Sequence, residues 1–246
     1  MNVLNETTHR PFSLPEKKWI MRQSWRNLLF THWPISPEVL RPYIPSQLQI
    51  DTYNDRAWIG VVVFVMEGIY HRYLPTISLT PTFSEINVRT YVRYNGKPGI
   101  YFLSLDVNDL ASYTIAKRWY HLPYSLASIS YQQDGPTFHV KSIRKAKTNI
   151  PIEFKGSYSP NQDVFYAKKE TLEHWFIERY CLYSNDKRGN MYCGDIHHRP
   201  WPLQTVNTNI SMNTLFSMFS FNVIEENSLS YYSRGVDTLI WNIKKL

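Results

Sequence analysis

The residues from Glu85 to Tyr94, EINVRTYVRY, alternate so regularly that they read as one strand with two unlike faces. Ile86, Val88, Thr90 and Val92 share one face, and Glu85, Asn87, Arg89, Tyr91 and Arg93 share the other. Asn95-Gly96 follows, a dipeptide suited to a type I′ hairpin because both turn positions need a positive φ. Ile100 to Asp106 then reads as the returning strand. With a two-residue loop, Glu85 faces Asp106, Asn87 faces Ser104 and Arg89 faces Phe102, while Ile86 meets Leu105 and Val88 meets Leu103. Apart from Arg89 opposite Phe102, polar then meets polar and apolar meets apolar. Asn108 or Asp109 can cap a following helix in which Ala111, Ile115, Trp119 and Leu122 fall at helical spacing, and Pro123 ends it.

Along the rest of the chain, short strands dominate. Residues 1–18 read as an irregular arm that gains order only by docking, and 19–246 as a single domain with no linker. Met21 to Pro34 is apolar enough for a buried strand, with Arg26 and His32 as polar exceptions. Ser36-Pro37 starts a single helical turn that runs to Arg41. Strands are predicted at 47–52 and 56–69; the second contains the unbroken apolar run Ala57 to Met66, which implies burial on both faces. The Pro, Thr and Ser-rich loop from Tyr70 to Pro81 is placed at a cavity rim. Further strands are predicted at 125–132, 137–144, 152–158, 191–196, 203–209, 219–224 and 237–243, and a second helix from Glu170 to Tyr183. The fold class is therefore α+β, mainly β, with many short strands and few flanking helices, arranged as a closed barrel or sandwich.

With 246 residues, 43% hydrophobic and 15% aromatic, the chain can fill a substantial core. No apolar run is long enough to span a bilayer and the N-terminus carries no export signal, so a cytoplasmic protein whose two cysteines stay thiols is expected. The formal charge of +7 raises an anionic partner, but the one dense basic segment, Lys141 to Lys147, lacks interleaved aromatics. It reads as a lysine-protected strand edge, and nucleic acid is not the expected partner. The sequence leaves a homo-oligomer open.

For chemistry, Glu85 and Asp106 are the acid–base candidates: neighbouring carboxylates drive one pKa up, and Arg89 on the same face would draw the other down. Arg89, with its fixed fork of donors, is the candidate anion clamp, flanked by Asn87 and Ser104. The alternative is that this polar face is merely the solvent side of a sheet. Cys193, His197 and His198, with Cys181 upstream, carry soft metal-ligand chemistry, but adjacent histidines on an extended segment point to opposite faces and the spacing lacks a zinc pattern. No metal is expected. Serine-hydrolase, P-loop, dinucleotide and zincin signatures are all absent, and no cofactor is expected.

Six separated segments, WRNLLFTHWPISPEVLRPYIP, LQIDTYNDRAWIGVVVF, FSEINVRTYVRYNGKPGIYFLSLD, AKRWYHLPYS, ERYCLYS and IHHRPWPLQ, together resemble the YqjF-like family of uncharacterised bacterial proteins. That resemblance implies the acetoacetate-decarboxylase-like fold: a closed, mainly antiparallel β-barrel around a small-molecule cavity. In the decarboxylases a strand glutamate, a Gly-Arg-Glu helix segment and a Pro-Lys-Lys element carrying the Schiff-base lysine form the site. Here Glu85 stands as the strand acid, Ala116-Lys117-Arg118 replaces Gly-Arg-Glu and Pro123-Tyr124-Ser125 replaces Pro-Lys-Lys. Arg118 and Tyr124 are accordingly candidate substrate-binding residues, and the imine-forming lysine is missing. The implied function is binding of a small organic acid or carbonyl compound, with or without cofactor-independent catalysis. A non-catalytic ligand sensor or interaction module is the alternative.

Overall fold

The computed structural model describes residues 3–74, 81–145, 150–219, 221, 223–224 and 227–246, with backbone alone at 115–117 and 119. In chain order the elements are β1 (Met21–Ile35), α1 (Pro37–Leu40), β2 (Gln49–Ile50), β3 (Ala57–His71), β4 (Phe83–Tyr94) and β5 (Lys97–Val107). There follow α2 (Leu110–Trp119), β6 (Tyr124–Asp134), β7 (Thr137–Arg144), β8 (Glu153–Pro160) and α3 (Leu172–Ile177). The last five strands are β9 (Cys181–Asn185), β10 (Met191–His197), β11 (Leu203–Asn213), β12 (Leu229–Ile240) and β13 (Lys244–Lys245).

All thirteen strands among the described residues belong to one mixed, mostly antiparallel sheet. A central wall runs β12-β1-β3-β4-β5. On one side β9 and β10 carry the hydrogen bonding from β5 back to β12, and on the other β6, β7, β8 and β11 do the same. The sheet thus bonds in two rings that share the wall, which is the mainly β architecture with few helices that the sequence implies.

This arrangement explains the unbroken apolar run in β3, because each face of the wall lines a different ring. Phe30, Val62, Phe64, Leu105 and Val107 pack in the core of the β9–β10 ring. Leu29, Ile59, Val61, Val63, Ile86 and Val88 pack in the other, with Phe138, Val140 and Phe154. An edge strand or a one-sided sheet would have required alternation.

The hairpin turn forms as predicted, with Asn95 at φ 48° and Gly96 at φ 78°. From Tyr94↔Lys97 to Arg89↔Phe102 the predicted pairing holds. A β-bulge then slips the register: Val88 faces Ser104, Asn87 faces Leu105, Ile86 faces Asp106 and Glu85 faces Val107. The expected pairs Glu85–Asp106, Asn87–Ser104, Ile86–Leu105 and Val88–Leu103 are therefore corrected. One extra residue on β5 reverses every later side chain, so Ser104 and Asp106 lie on the face opposite Glu85. There Arg144 Nε of β7 donates to Asp106 Oδ1 at 2.7 Å and Arg144 Nη2 to Ser104 Oγ. A buried acid and its guanidinium partner stabilise the slipped register.

Other differences also arise from tertiary pairing. The predicted helix over 170–183 is cut to α3: the Thr171 side chain caps His174 N at 3.3 Å, and Glu178 N closes the last turn on His174 O. Beyond it, Cys181 and its neighbours pair with β5 and β10, so extended pairing overrides helical spacing. The strand predicted at 219–224 is not formed among its described residues, and the one at 237–243 begins earlier, as β12. β7 is not an edge, since β6 and β8 flank it, and Arg144 of its basic run points inward. Residues 146–149 of that run, and 75–80 of the predicted rim loop, lie outside the described residues. The N-terminal arm docks: Arg10 Nη1 donates to Ile196 O at 2.7 Å, His197 Nε2 to Val3 O at 3.0 Å and Trp241 Nε1 to Lys17 O at 2.5 Å. Among the described residues no helix is long and apolar enough to cross a membrane.

Candidate functional site

The β9–β10 ring encloses a cavity of about 160 Å³, some ten times the room that one water needs. Its walls are apolar, among them Phe30, Phe64, Phe102, Leu105 and Trp201. Strand alternation on β4 projects Glu85, Asn87 and Arg89 into it, and Tyr124 enters from the start of β6.

Glu85 is the best-held of these groups. Tyr124 donates its hydroxyl to Oε2 at 2.7 Å, and Asn87 Nδ2 donates to Oε1 at 3.2 Å. Burial pushes the Glu85 carboxyl up to about 7, against the opposing pull of those two hydrogen bonds. Burial, with the adjacent carboxylate, holds Tyr124 well above the usual phenol range, so it stays a neutral donor. Asp106, now on the other face, is only a minor contributor.

Arg89 is buried with its guanidinium 5.4 Å from the Phe30 ring centre and 5.9 Å from that of Tyr91. None of the ion pairs among the described residues includes it, and its Nε has no partner. Arg179, between α3 and β9, also lines the cavity; Asp51 Oδ2 and Trp175 O hold it at 2.5 and 2.7 Å, yet its Nη2 is unpartnered. Asn87, Ser112 and Tyr120 are further lining residues, whose buried Oδ1, Oγ and Oη have no partner among the described residues. A buried polar group left this way costs about 1–3 kcal/mol. Several in one apolar chamber mark a place shaped for a polar guest. Behind them, the Tyr91 hydroxyl and His32 Nε2 lie 2.7 Å apart. Burial, with Arg89, holds His32 well below the usual imidazole range and so neutral.

The candidates read from sequence thus divide. Glu85, Asn87, Arg89 and Tyr124 converge on the cavity. Ser104 and Asp106 do not, and Arg118 is exposed on α2 away from the lining. Arg179, Ser112 and Tyr120 are lining residues that strand alternation could not find. Arg179 lay inside the Glu-Arg-Tyr-Cys segment, where it read as one more turn of helix.

The histidine candidates for metal are otherwise engaged. His197 Nε2 donates to Val3 O while its Nδ1 lies 3.2 Å from Arg10 Nη1, and His198 Nδ1 donates to Arg199 O at 2.7 Å. Burial lowers them to about 4 and about 3 respectively. Cys181, Cys193 and Asp195 do gather, with ligand atoms within 4.8 Å of one another. The Lys97 ammonium, 2.5 Å from Asp195 Oδ1, already supplies the positive charge of that cluster.

Residues 22–237 match the DUF2071 family, described as an uncharacterized conserved protein. The chain belongs to the DUF2071 family. It is 40% identical over 233 residues, 95% of each chain, to the uncharacterized protein YqjF of Bacillus subtilis strain 168. Among solved structures it is similar to acetoacetate decarboxylase from Legionella pneumophila, with a TM-score of 0.61 at 13% identity, covering 96% of this chain and 93% of that one. It is similar also to the enduracididine biosynthesis enzyme MppR complexed with pyruvate, with a TM-score of 0.61 at 10% identity and coverage of 96% and 91%. At such identities the likeness shows a shared fold.

Proposed function

We propose that the cavity binds a small oxo acid or related carbonyl compound and that Glu85 exchanges a proton with it, without a covalent intermediate. The observation that carries this reading is Glu85 itself: a fully enclosed carboxyl, poised near neutral pH and held by Tyr124 and Asn87. A group that titrates near the working pH is present in both forms and can act as acid or base. Arg89, which is in no ion pair among the described residues and whose Nε has no partner, would take the carboxylate, with Arg179 Nη2 available as a second donor. The apolar walls exclude water and strengthen both interactions.

Three features support a lysine-free route. Tyr124 and Ser125 occupy the segment that resembles the decarboxylase Pro-Lys-Lys element, no lysine lines the cavity among the described residues, and Tyr124 is committed to Glu85. An imine needs an amine at the reacting carbon. The side chain of Lys117 lies outside the described residues.

Pyruvate, the ligand named for MppR, is a suitable probe. Its methyl protons, followed by NMR in deuterated buffer, should exchange faster with the protein than without it. Glu85→Gln should remove about a hundredfold or more of that acceleration, and Arg89→Met should weaken binding about tenfold or more. Pyruvate bound but never exchanged would favour the sensor reading, and neither binding nor exchange would remove the oxo-acid assignment.

A further inference from the structure

On the β9–β10 hairpin Asp195 faces Cys181 and Tyr183 faces Cys193. Residues two apart on a strand share a face, so both thiols and the Asp195 carboxylate project together. The Cys181 and Cys193 sulfurs lie 2.8 Å apart. Lys97, the first residue of β5, reaches over them: its Nζ is 3.8 Å from Cys193 Sγ and 2.5 Å from Asp195 Oδ1. Cys181 also belongs to the cavity wall, both cysteines are buried, and the Lys97 side chain that covers them is 30% exposed.

Two inert buried thiols would need only apolar neighbours. An ammonium next to one sulfur, itself fixed by a carboxylate, is the environment that favours a thiolate. A metal would have to displace Lys97 from Asp195. The thiols are also unequal: the hydrogen bond from Cys181, aided by Lys97, draws Cys193 below the ordinary thiol value against the opposing effects of burial and the Asp195 carboxylate. Burial pushes Cys181 well above it.

We propose that Cys193 and Cys181 form a redox-active dithiol, in which Cys193 is the thiolate that reacts with a hydroperoxide and Cys181 is the resolving thiol. The Cys193 sulfur attacks the outer peroxide oxygen and the O–O bond breaks. Cys193 becomes a sulfenic acid, and the released hydroxide or alkoxide takes a proton to leave as water or alcohol. The Cys181 sulfur then attacks Cys193, the S–S bond forms, the S–O bond breaks, and the departing hydroxide takes the Cys181 proton as water. Two thiols and one hydroperoxide give one disulfide, one water and one water or alcohol. Nothing in this step depends on the chemistry assigned to Glu85.

The test uses fully reduced protein treated with stoichiometric hydrogen peroxide, then denatured and alkylated with N-ethylmaleimide. The inference expects intact mass lower by two hydrogens, no maleimide adduct, and recovery of both adducts after reduction. In Cys181→Ser, dimedone should trap a sulfenic acid on Cys193; in Cys193→Ser, Cys181 should give none. Lys97→Met should slow iodoacetamide alkylation of Cys193 at neutral pH about tenfold. Two thiols still alkylated after peroxide would overturn the proposal. So would one equivalent of zinc whose removal is needed before either thiol reacts, since the cluster would then be a metal site.

Discussion

Glu85 is enclosed and its carboxyl lies at about 7 rather than 4.5 because burial penalises the charge. The proton-linked consequence for stability has a definite sign. Between 4.5 and 7 the folded protein holds a proton on Glu85 that the unfolded chain releases, so Glu85 costs nothing below pH 4.5 and destabilises increasingly as pH rises through 7. A displacement of this size corresponds to about 3 kcal/mol once the carboxylate is fully charged. Glu85→Gln keeps the shape and never ionises. Its carbonyl can still accept from Tyr124, and the Asn87 amide, whose Oδ1 is free among the described residues, can turn to accept from the new Nε2. Urea unfolding followed by tryptophan fluorescence should give similar stabilities for the two proteins near pH 4.5. At pH 8.5 the variant should be the more stable, by up to about 3 kcal/mol. Glu178, also raised by burial to about 7, titrates in both proteins and cancels in the comparison. A difference between the proteins that does not change with pH, or a variant less stable at high pH, would refute the argument that Glu85 is an enclosed, near-neutral acid.

Asp106→Asn should destabilise the fold by about 3–5 kcal/mol in denaturant unfolding, because it leaves the Arg144 guanidinium buried against a neutral partner; pyruvate binding, measured calorimetrically under native conditions, should be retained. Incubation with acetoacetate and borohydride should leave no stable mass increase, and an adduct mapped to Lys117 and absent in Lys117→Met would show instead that an imine route exists. Elemental analysis of protein purified without added metal should find no stoichiometric zinc; one equivalent lost in His197→Ala or Cys193→Ser would contradict that.

The sequence carried those features that depend on neighbours along the chain. Asn95-Gly96 fixed the hairpin, the unbroken run in β3 implied a strand buried on both faces, and alternation on β4 grouped Glu85, Asn87 and Arg89. What escaped it depends on distant partners. Leu103-Ser104-Leu105-Asp106 alternates equally well in either register, and the choice is made by Arg144 on β7, which donates to Asp106 and Ser104 on the far face. Likewise Tyr180 to Tyr183 fit a helical stripe until β5 and β10 offer extended hydrogen bonding. That substitution of strand for helix moves Arg179 to the cavity and brings Cys181 against Cys193. Lys97, far from both cysteines in sequence, completes their cluster only because β5 and β9 run side by side.

Central to the proposed function is the Glu85 carboxyl, raised by burial to about 7 beside the cavity where the proposed ligand would meet it. Protein labelled with carbon-13 at the glutamate side-chain carboxyl, with the Glu85 resonance assigned by its absence in Glu85→Gln, would report that titration directly. The predicted result is a midpoint near pH 7, with the resonance and its midpoint displaced when pyruvate is added. A midpoint near the ordinary value of 4.5, unmoved by saturating pyruvate, would contradict the account.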